Sequence, residues 1–119
     1  DMASVWAVAD MAIARAGAST CAELTACGVP SLLLPYPFHK DMHQKANALE
    51  LERAGAALIV DDARDAAANA TAVKAALDSL LYADTRRHSM AAAARAIGKP
   101  DAAAEIAREI LALVRSPMR

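Results

Sequence analysis

The sequence is short of everything that would mark a secreted, membrane-spanning or nucleic-acid-binding chain. It has two cysteines, Cys21 and Cys27. Six positions apart on one short predicted helix, they fall on different faces, so the spacing suggests neither a disulfide nor a metal site. They read as buried or inert thiols of a reducing cytoplasm. No apolar run is long enough to span a bilayer, and no secretory signal opens the chain. Neither sign of charge dominates: 13 basic and 14 acidic residues leave a net charge of -1. That balance provides no electrostatic footprint for DNA or RNA.

What is present is an alternation of apolar runs and helical patterns. The 119 residues suit one domain or a piece of one. Asp1 is an N-cap candidate for a helix over residues 2–9. The chain starts with Asp1 directly in helical pattern, and the expectation is a fragment of a longer protein. "MAIAR" (Met11–Arg15) reads as a strand, followed by the loop "AGAS". Thr20-x-x-Glu23 has the form of a capping box and predicts a helix from Thr20 to Cys27. Gly28 and Pro30 supply its stop. "SLLLP" (Ser31–Pro35) is a continuous apolar run, as in strands buried on both faces of a parallel sheet. A second helix is predicted from Met42 to Ala54, stopped by Gly55, and Ala56–Val60 is a third apolar run.

This order is β-α-β-α-β. It implies an α/β fold with a Rossmann-like parallel sheet and flanking helices. Three strands are few for an open α/β domain, which again points to missing N-terminal structure. Residues 61–70 are polar and alanine-rich and predict a loop leading into a helix over Ala72–Ala83. Residues 85–98 predict another helix, and Asp101 caps a last one with Ile106, Ile110, Leu111 and Val114 as its apolar stripe. These helices are expected to pack beside the sheet, with Arg86 and Arg87 on a solvated face.

In open α/β sheets, ligands bind beyond the carboxyl ends of the strands. Three loops qualify: Ala16–Ser19, Tyr36–Asp41, and Asp61 onward. The first two lead into helix N-termini, whose free N–H groups and positive dipole end favour anions. Thr20 with Glu23, and Asp41 with Gln44, each pair an N-cap residue with an acid or amide three positions on. One reading makes both simple caps, each worth about 1 kcal/mol. The other directs the acid and amide into a cleft. There a carboxylate can accept hydrogen bonds from a ribose diol, and Gln44 can pair with a sugar hydroxyl. His39 and His43 flank the second helix start without partners at metal-ligand spacing. A triad of Ser19, Asp41 and His43 lacks the G-x-S-x-G elbow. His88 reads as exposed.

Three motifs, RAGAST-x-x-E, GVPSLLLPYP and HQ-x-x-NA, stand in this order within residues 15–48. The chain resembles the donor-binding half of MurG-type glycosyltransferases. "ARAIGKPDAAAEIA" is similar to that family's closing helices. The resemblance implies a GT-B architecture of two Rossmann-like domains with the active site between them. This chain would be part of the C-terminal domain, with residues 1–60 as the nucleotide-sugar-binding core and 61–119 as a helical flank. It implies an inverting transfer of N-acetylglucosamine (GlcNAc) from UDP-GlcNAc to lipid I, giving lipid II in peptidoglycan synthesis. No metal and no cofactor are implied.

Residue by residue, the resemblance puts Ala18, Ser19 and Thr20 along the donor diphosphate and Glu23 on the ribose hydroxyls. His43, Gln44 and Asn47 would face the GlcNAc, and Met2 would lie near the uracil. Glu23 would thus both cap its helix and hold the ribose. No catalytic residue is expected in this chain, because the general base belongs to the other domain. That domain would also carry the lipid I site and the peripheral contact with the cytoplasmic face of the bacterial inner membrane. Two alternatives stand beside this reading. One is a glycolipid-type GT-B transferase, such as a diacylglycerol galactosyltransferase. The other is a non-catalytic nucleotide-sugar-binding or helical interaction module.

Overall fold

The computed structural model describes residues 1–38 and 42–115. Its elements are α1 (Met2–Val8), β1 (Ala12–Ala14), α2 (Ala18–Cys27), β2 (Ser31–Leu33), α3 (His43–Arg53), β3 (Ala57–Ile59), α4 (Ala66–Leu81), α5 (Asp84–Ile97) and α6 (Ala102–Arg115). The strands form a parallel sheet in the order β1-β2-β3, with Ile13 beside Leu32 and Leu32 beside Leu58. The α/β, Rossmann-like expectation holds. β2 is the central strand, and Ser31, Leu32 and Leu33 are all fully buried. A strand covered on both edges and both faces needs the unbroken apolar run that this segment supplies.

The core joins Leu24, Val29, Leu33, Ala48 and Leu51 to several alanines. Fully buried Ala16 and Ala48 keep α2 and α3 close to the sheet. α5 packs across α2, with Met90 and Ala94 buried. Gly28 ends α2 in the left-handed region, at φ 69° and ψ 42°. That conformation is costly for any residue with a Cβ.

Helix starts differ from the sequence expectations in three places. α2 begins at Ala18, and its N-cap is Gly17, without a side-chain cap bond. Thr20 is therefore the third helical residue and Glu23 lies in the second turn, so the expected capping box does not form. The loop from β1 is anchored at Ala16 by two side chains of α3, and the chain is free to turn helical directly after it. α3 starts at His43 with Met42 as N-cap, at φ 54° and again without a side-chain bond. Gln44 is thus the second helical residue. Asp41, expected to cap this helix, lies outside the described residues, as does His39. α4 starts at Ala66, six residues before the expected Ala72, because Asp65 caps it by accepting the Ala68 N–H at 2.7 Å. The alanine-rich stretch read as a loop has the highest helix propensity available.

Two expectations about packing also change. Ile106, Ile110, Leu111 and Val114 of α6 are each more than half exposed. The stripe exists but does not lie on the sheet. Gly98 is extended, at φ -68° and ψ 150°, and Pro100 follows it, so the chain leaves α5 in a new direction. Arg87 is not on a solvated face. Its guanidinium donates to the Leu80 and Leu81 carbonyls and pairs with Asp84. It thereby satisfies carbonyls that the end of α4 would leave orphaned. Arg86 and His88 are exposed, as expected. Among the described residues, no helix is long and apolar enough to cross a membrane.

Candidate functional site at the carboxyl ends of the strands

The loops after β1, β2 and β3 are tied together by side chains. Arg15, next to the end of β1, donates from Nη1 to the Leu34 carbonyl at 3.1 Å and to Asp62 Oδ2 at 2.8 Å. Asp62 also accepts from Asn69 Nδ2 at 2.7 Å and from the Arg64 N–H at 2.8 Å. The Asn69 hydrogen bond, then Arg15 and the Arg64 N–H, lower the Asp62 pKa to about 2. One guanidinium thus spans the ends of all three strands.

α3 contributes the second tie. Gln44 Oε1 accepts the Tyr36 N–H at 2.9 Å and the Ala16 N–H at 3.3 Å. Two backbone donors converge on one atom, so that atom is the amide oxygen and Nε2 is its remaining donor. Asn47 Nδ2 donates to the Ala16 carbonyl at 3.0 Å. Gln44 and Asn47, expected to face the sugar, are therefore engaged in holding Ala16 and Tyr36. Gln44 cannot serve a sugar as an unencumbered donor and acceptor. His43 opens α3 and is exposed.

Ala16 leads directly into Gly17 and the start of α2. The first bond of this helix runs from the Cys21 N–H to the Gly17 carbonyl at 2.9 Å. The N–H groups of Ala18, Ser19 and Thr20 lie upstream of it and have no role inside the helix. Gly17 has no side chain to cap them. Ala18 and Ser19 are exposed and Thr20 is half-buried. The missing cap leaves an open, electropositive helix end.

Glu23 is exposed one turn further along α2, four residues from Ser19 and hence on the same flank. Its Oε2 accepts the Trp6 indole N–H at 2.8 Å. Met2, four residues before Trp6 on α1, is half exposed. Trp6 thus joins α1 to the Glu23 flank of α2, with Met2 one turn before it on α1.

Two cavities near these elements are not independent sites. One of about 290 Å³ lies among Tyr36, Met42, Lys45, Asp62 and Arg64. In it Lys45 pairs with Asp61 and Asp62 with Arg15, while the Arg64 guanidinium donates to the Pro37 carbonyl and stands over the Phe38 ring. Another of about 450 Å³ lies between α2 and α3, beside Cys21 and Thr25. Burial pushes the Cys21 thiol pKa up, which keeps it protonated and unreactive. Among the described residues, no group of three or more His, Cys, Asp or Glu is placed to hold a metal.

Sequence reasoning missed Arg15, Asp62, Asn69 and Trp6. Arg15 carried a signal, a cation at the carboxyl end of a strand. The other three carried none, since their roles depend on partners 7 to 47 residues away.

Residues 1–106 match the model of the glycosyltransferase family 28 C-terminal domain. A UDP-N-acetylglucosamine--N-acetylmuramyl-(pentapeptide) pyrophosphoryl-undecaprenol N-acetylglucosamine transferase of Sorangium cellulosum is 48% identical over 119 residues, covering 98% of this chain and 28% of the relative. The protein of the same name from Salinibacter ruber is 49% identical over 112 residues, 94% of this chain and 29% of its own length. The crystal structure of Acinetobacter baumannii MurG superposes with a TM-score of 0.79 at 32% identity, covering 93% of this chain and 31% of that one. The chain therefore spans less than a third of the relatives that it matches. An open helix end beside a carboxylate on a three-stranded parallel sheet, together with these matches, shows that the chain belongs to the glycosyltransferase family 28 C-terminal domain family.

Proposed function

We propose that this chain is the donor-binding part of an inverting glycosyltransferase that moves GlcNAc from UDP-GlcNAc to lipid I. The observation that carries the reading is the uncapped start of α2 with Glu23 one turn away. The similarity to enzymes named for this transfer supports it. The N–H groups of Ala18, Ser19 and Thr20 face the donor diphosphate, and Glu23 accepts from the ribose hydroxyls. Met2 lies beside the uracil. His43 and the Gln44 Nε2 donor face the GlcNAc. Asn47 acts one step back by fixing Ala16.

In an inverting transfer the acceptor oxygen attacks the anomeric carbon as the bond to the diphosphate breaks. Negative charge grows on the departing UDP. Fixed N–H dipoles at the α2 start stabilise that charge without reorganising at the moment of reaction. This chain thus serves the leaving group. The base that takes the acceptor proton lies in a proposed N-terminal domain, together with the lipid I site and the peripheral contact with the inner face of the cytoplasmic membrane.

The test uses the full-length protein that carries this chain, with UDP-GlcNAc and a lipid I analogue. The expected product is the GlcNAc-extended lipid with inverted anomeric configuration. Transfer of galactose from UDP-galactose to diacylglycerol instead would replace the reading with the glycolipid one.

A further inference from the structure

We infer that Trp6 is a positioning residue for nucleotide recognition: its indole N–H holds the Glu23 carboxylate in the orientation that accepts a ribose diol. The inference rests on the proposed role of Glu23 and deepens it. Glu23 is exposed on the outer flank of α2. It enters none of the ion pairs formed among the described residues. An exposed glutamate of this kind normally samples many rotamers. Here Oε2 receives the Trp6 Nε1–H at 2.8 Å. An indole N–H can only donate and a carboxylate can only accept, so the pairing has one polarity.

Trp6 is itself anchored. It is half-buried and packs against the core cluster that includes Cys21 and Leu24 of α2. Asp1 fixes the start of α1 by accepting from the Ala3 N–H and the Ser4 hydroxyl. The donor therefore comes from a held ring on a capped helix. A carboxylate offers about four lone-pair sites on two oxygens. The indole takes one, and Oε1 remains for the hydroxyls of a diol. Trp6 and a ribose thus share Glu23 without competing.

Pure packing would make a different prediction. A ring that only fills space would affect all ligands alike. A ring that orients Glu23 affects only ligands with hydroxyls for Glu23 to receive. The experiment measures affinities of the full-length protein for UDP and 2′,3′-dideoxy-UDP by calorimetry, in wild type and in Trp6→Phe. A second variant carries benzothienylalanine at position 6, which keeps the ring shape and replaces the N–H by sulfur. This variant keeps the test open if the phenylalanine one fails to fold.

In wild type, UDP binds more tightly than the dideoxy analogue. Loss of the N–H weakens UDP binding roughly three- to tenfold, the scale of one hydrogen bond to a charged group. Binding of the dideoxy analogue stays unchanged, so discrimination shrinks. An equal loss for both nucleotides, or none for either, overturns the inference and leaves the Glu23 assignment standing. A wild type that does not discriminate between the two nucleotides overturns the Glu23 assignment, and the inference with it.

Discussion

Arg15 and Asp62 are 47 residues apart in sequence, and their side chains meet at 2.8 Å beyond the carboxyl ends of β1 and β3. This contact ties together the carboxyl ends of the strands beside the proposed nucleotide site. Asp62 has a folded-state pKa of about 2, against an ordinary 3.8. A depressed acid contributes stability that is fully present above its unfolded pKa and is lost as pH falls through the folded one. The window here is from about pH 4 down to about pH 2. Asp62→Asn should lower the melting temperature at pH 7 and flatten its fall between pH 4 and pH 2. Circular dichroism melts at half-unit pH steps check this. Parallel profiles for the two proteins would show that Asp62 is not a source of acid sensitivity.

Gln44 is expected to matter first for structure. Gln44→Ala removes the oxygen that receives the Ala16 and Tyr36 N–H groups. Ala16 is fully buried, and a buried donor left unpaired costs about 1–3 kcal/mol. Because Ala16 sets the start of α2, UDP affinity should fall together with UDP-GlcNAc affinity. Gln44→Glu retains the accepting oxygen, loses the Nε2 donor and adds a negative charge. It should keep near-normal stability while weakening UDP-GlcNAc binding more than UDP binding. Denaturant titrations with paired nucleotide titrations measure both. A Gln44→Glu protein as unstable as Gln44→Ala would mean that shape, not the accepted bonds, sets the contribution of Gln44.

Glu23 caps nothing, so its removal should be mild for folding. Glu23→Ala loses one exposed hydrogen bond, from Trp6, and should cost less than about 1 kcal/mol of stability. UDP affinity should nevertheless fall about tenfold or more, on the scale of charge-assisted hydrogen bonds. Thermal shift and calorimetry together separate the two effects. A large stability loss with normal UDP binding would return Glu23 to a purely structural role.

Gly98 joins α5 to the back of α2. A Cβ there would stand 2.4 Å from the Thr25 carbonyl oxygen and 2.7 Å from its carbon. The obstruction is backbone, which cannot swing aside as a flexible side chain can. Gly98→Ala should destabilise by about 1–3 kcal/mol, the usual cost of overpacking. Gly17→Ala meets only the Thr20 hydroxyl at 3.9 Å and should be nearly neutral. Equal midpoints in urea for the two variants would argue against a tight α2–α5 contact.

Local pattern and tertiary structure divide this protein cleanly. The apolar runs at Ala12–Ala14, Ser31–Leu33 and Ala57–Ile59, each followed by helical periodicity, are enough to determine a parallel α/β sheet. Burial of β-strands and helix amphipathicity are written in residue spacing. Gly28, Gly55 and Gly98 mark helix ends for the same local reason. Helix starts were less legible. Thr20-x-x-Glu23 has the letters of a capping box, yet α2 begins at Ala18, because the anchoring of Ala16 by Gln44 and Asn47 decides where the loop ends. The stripe on α6 shows that a face is apolar but not what covers it. Trp6 on Glu23, Arg15 on Asp62 and Gln44 on Tyr36 were invisible in advance. Each joins separate elements, and a side chain's partner across the fold depends on how helices and strands dock. Sequence determined the scaffold, because strand and helix periodicity is local, whereas tertiary packing decided where α2 opens, which polar atoms are spent holding the site together and which remain for a ligand.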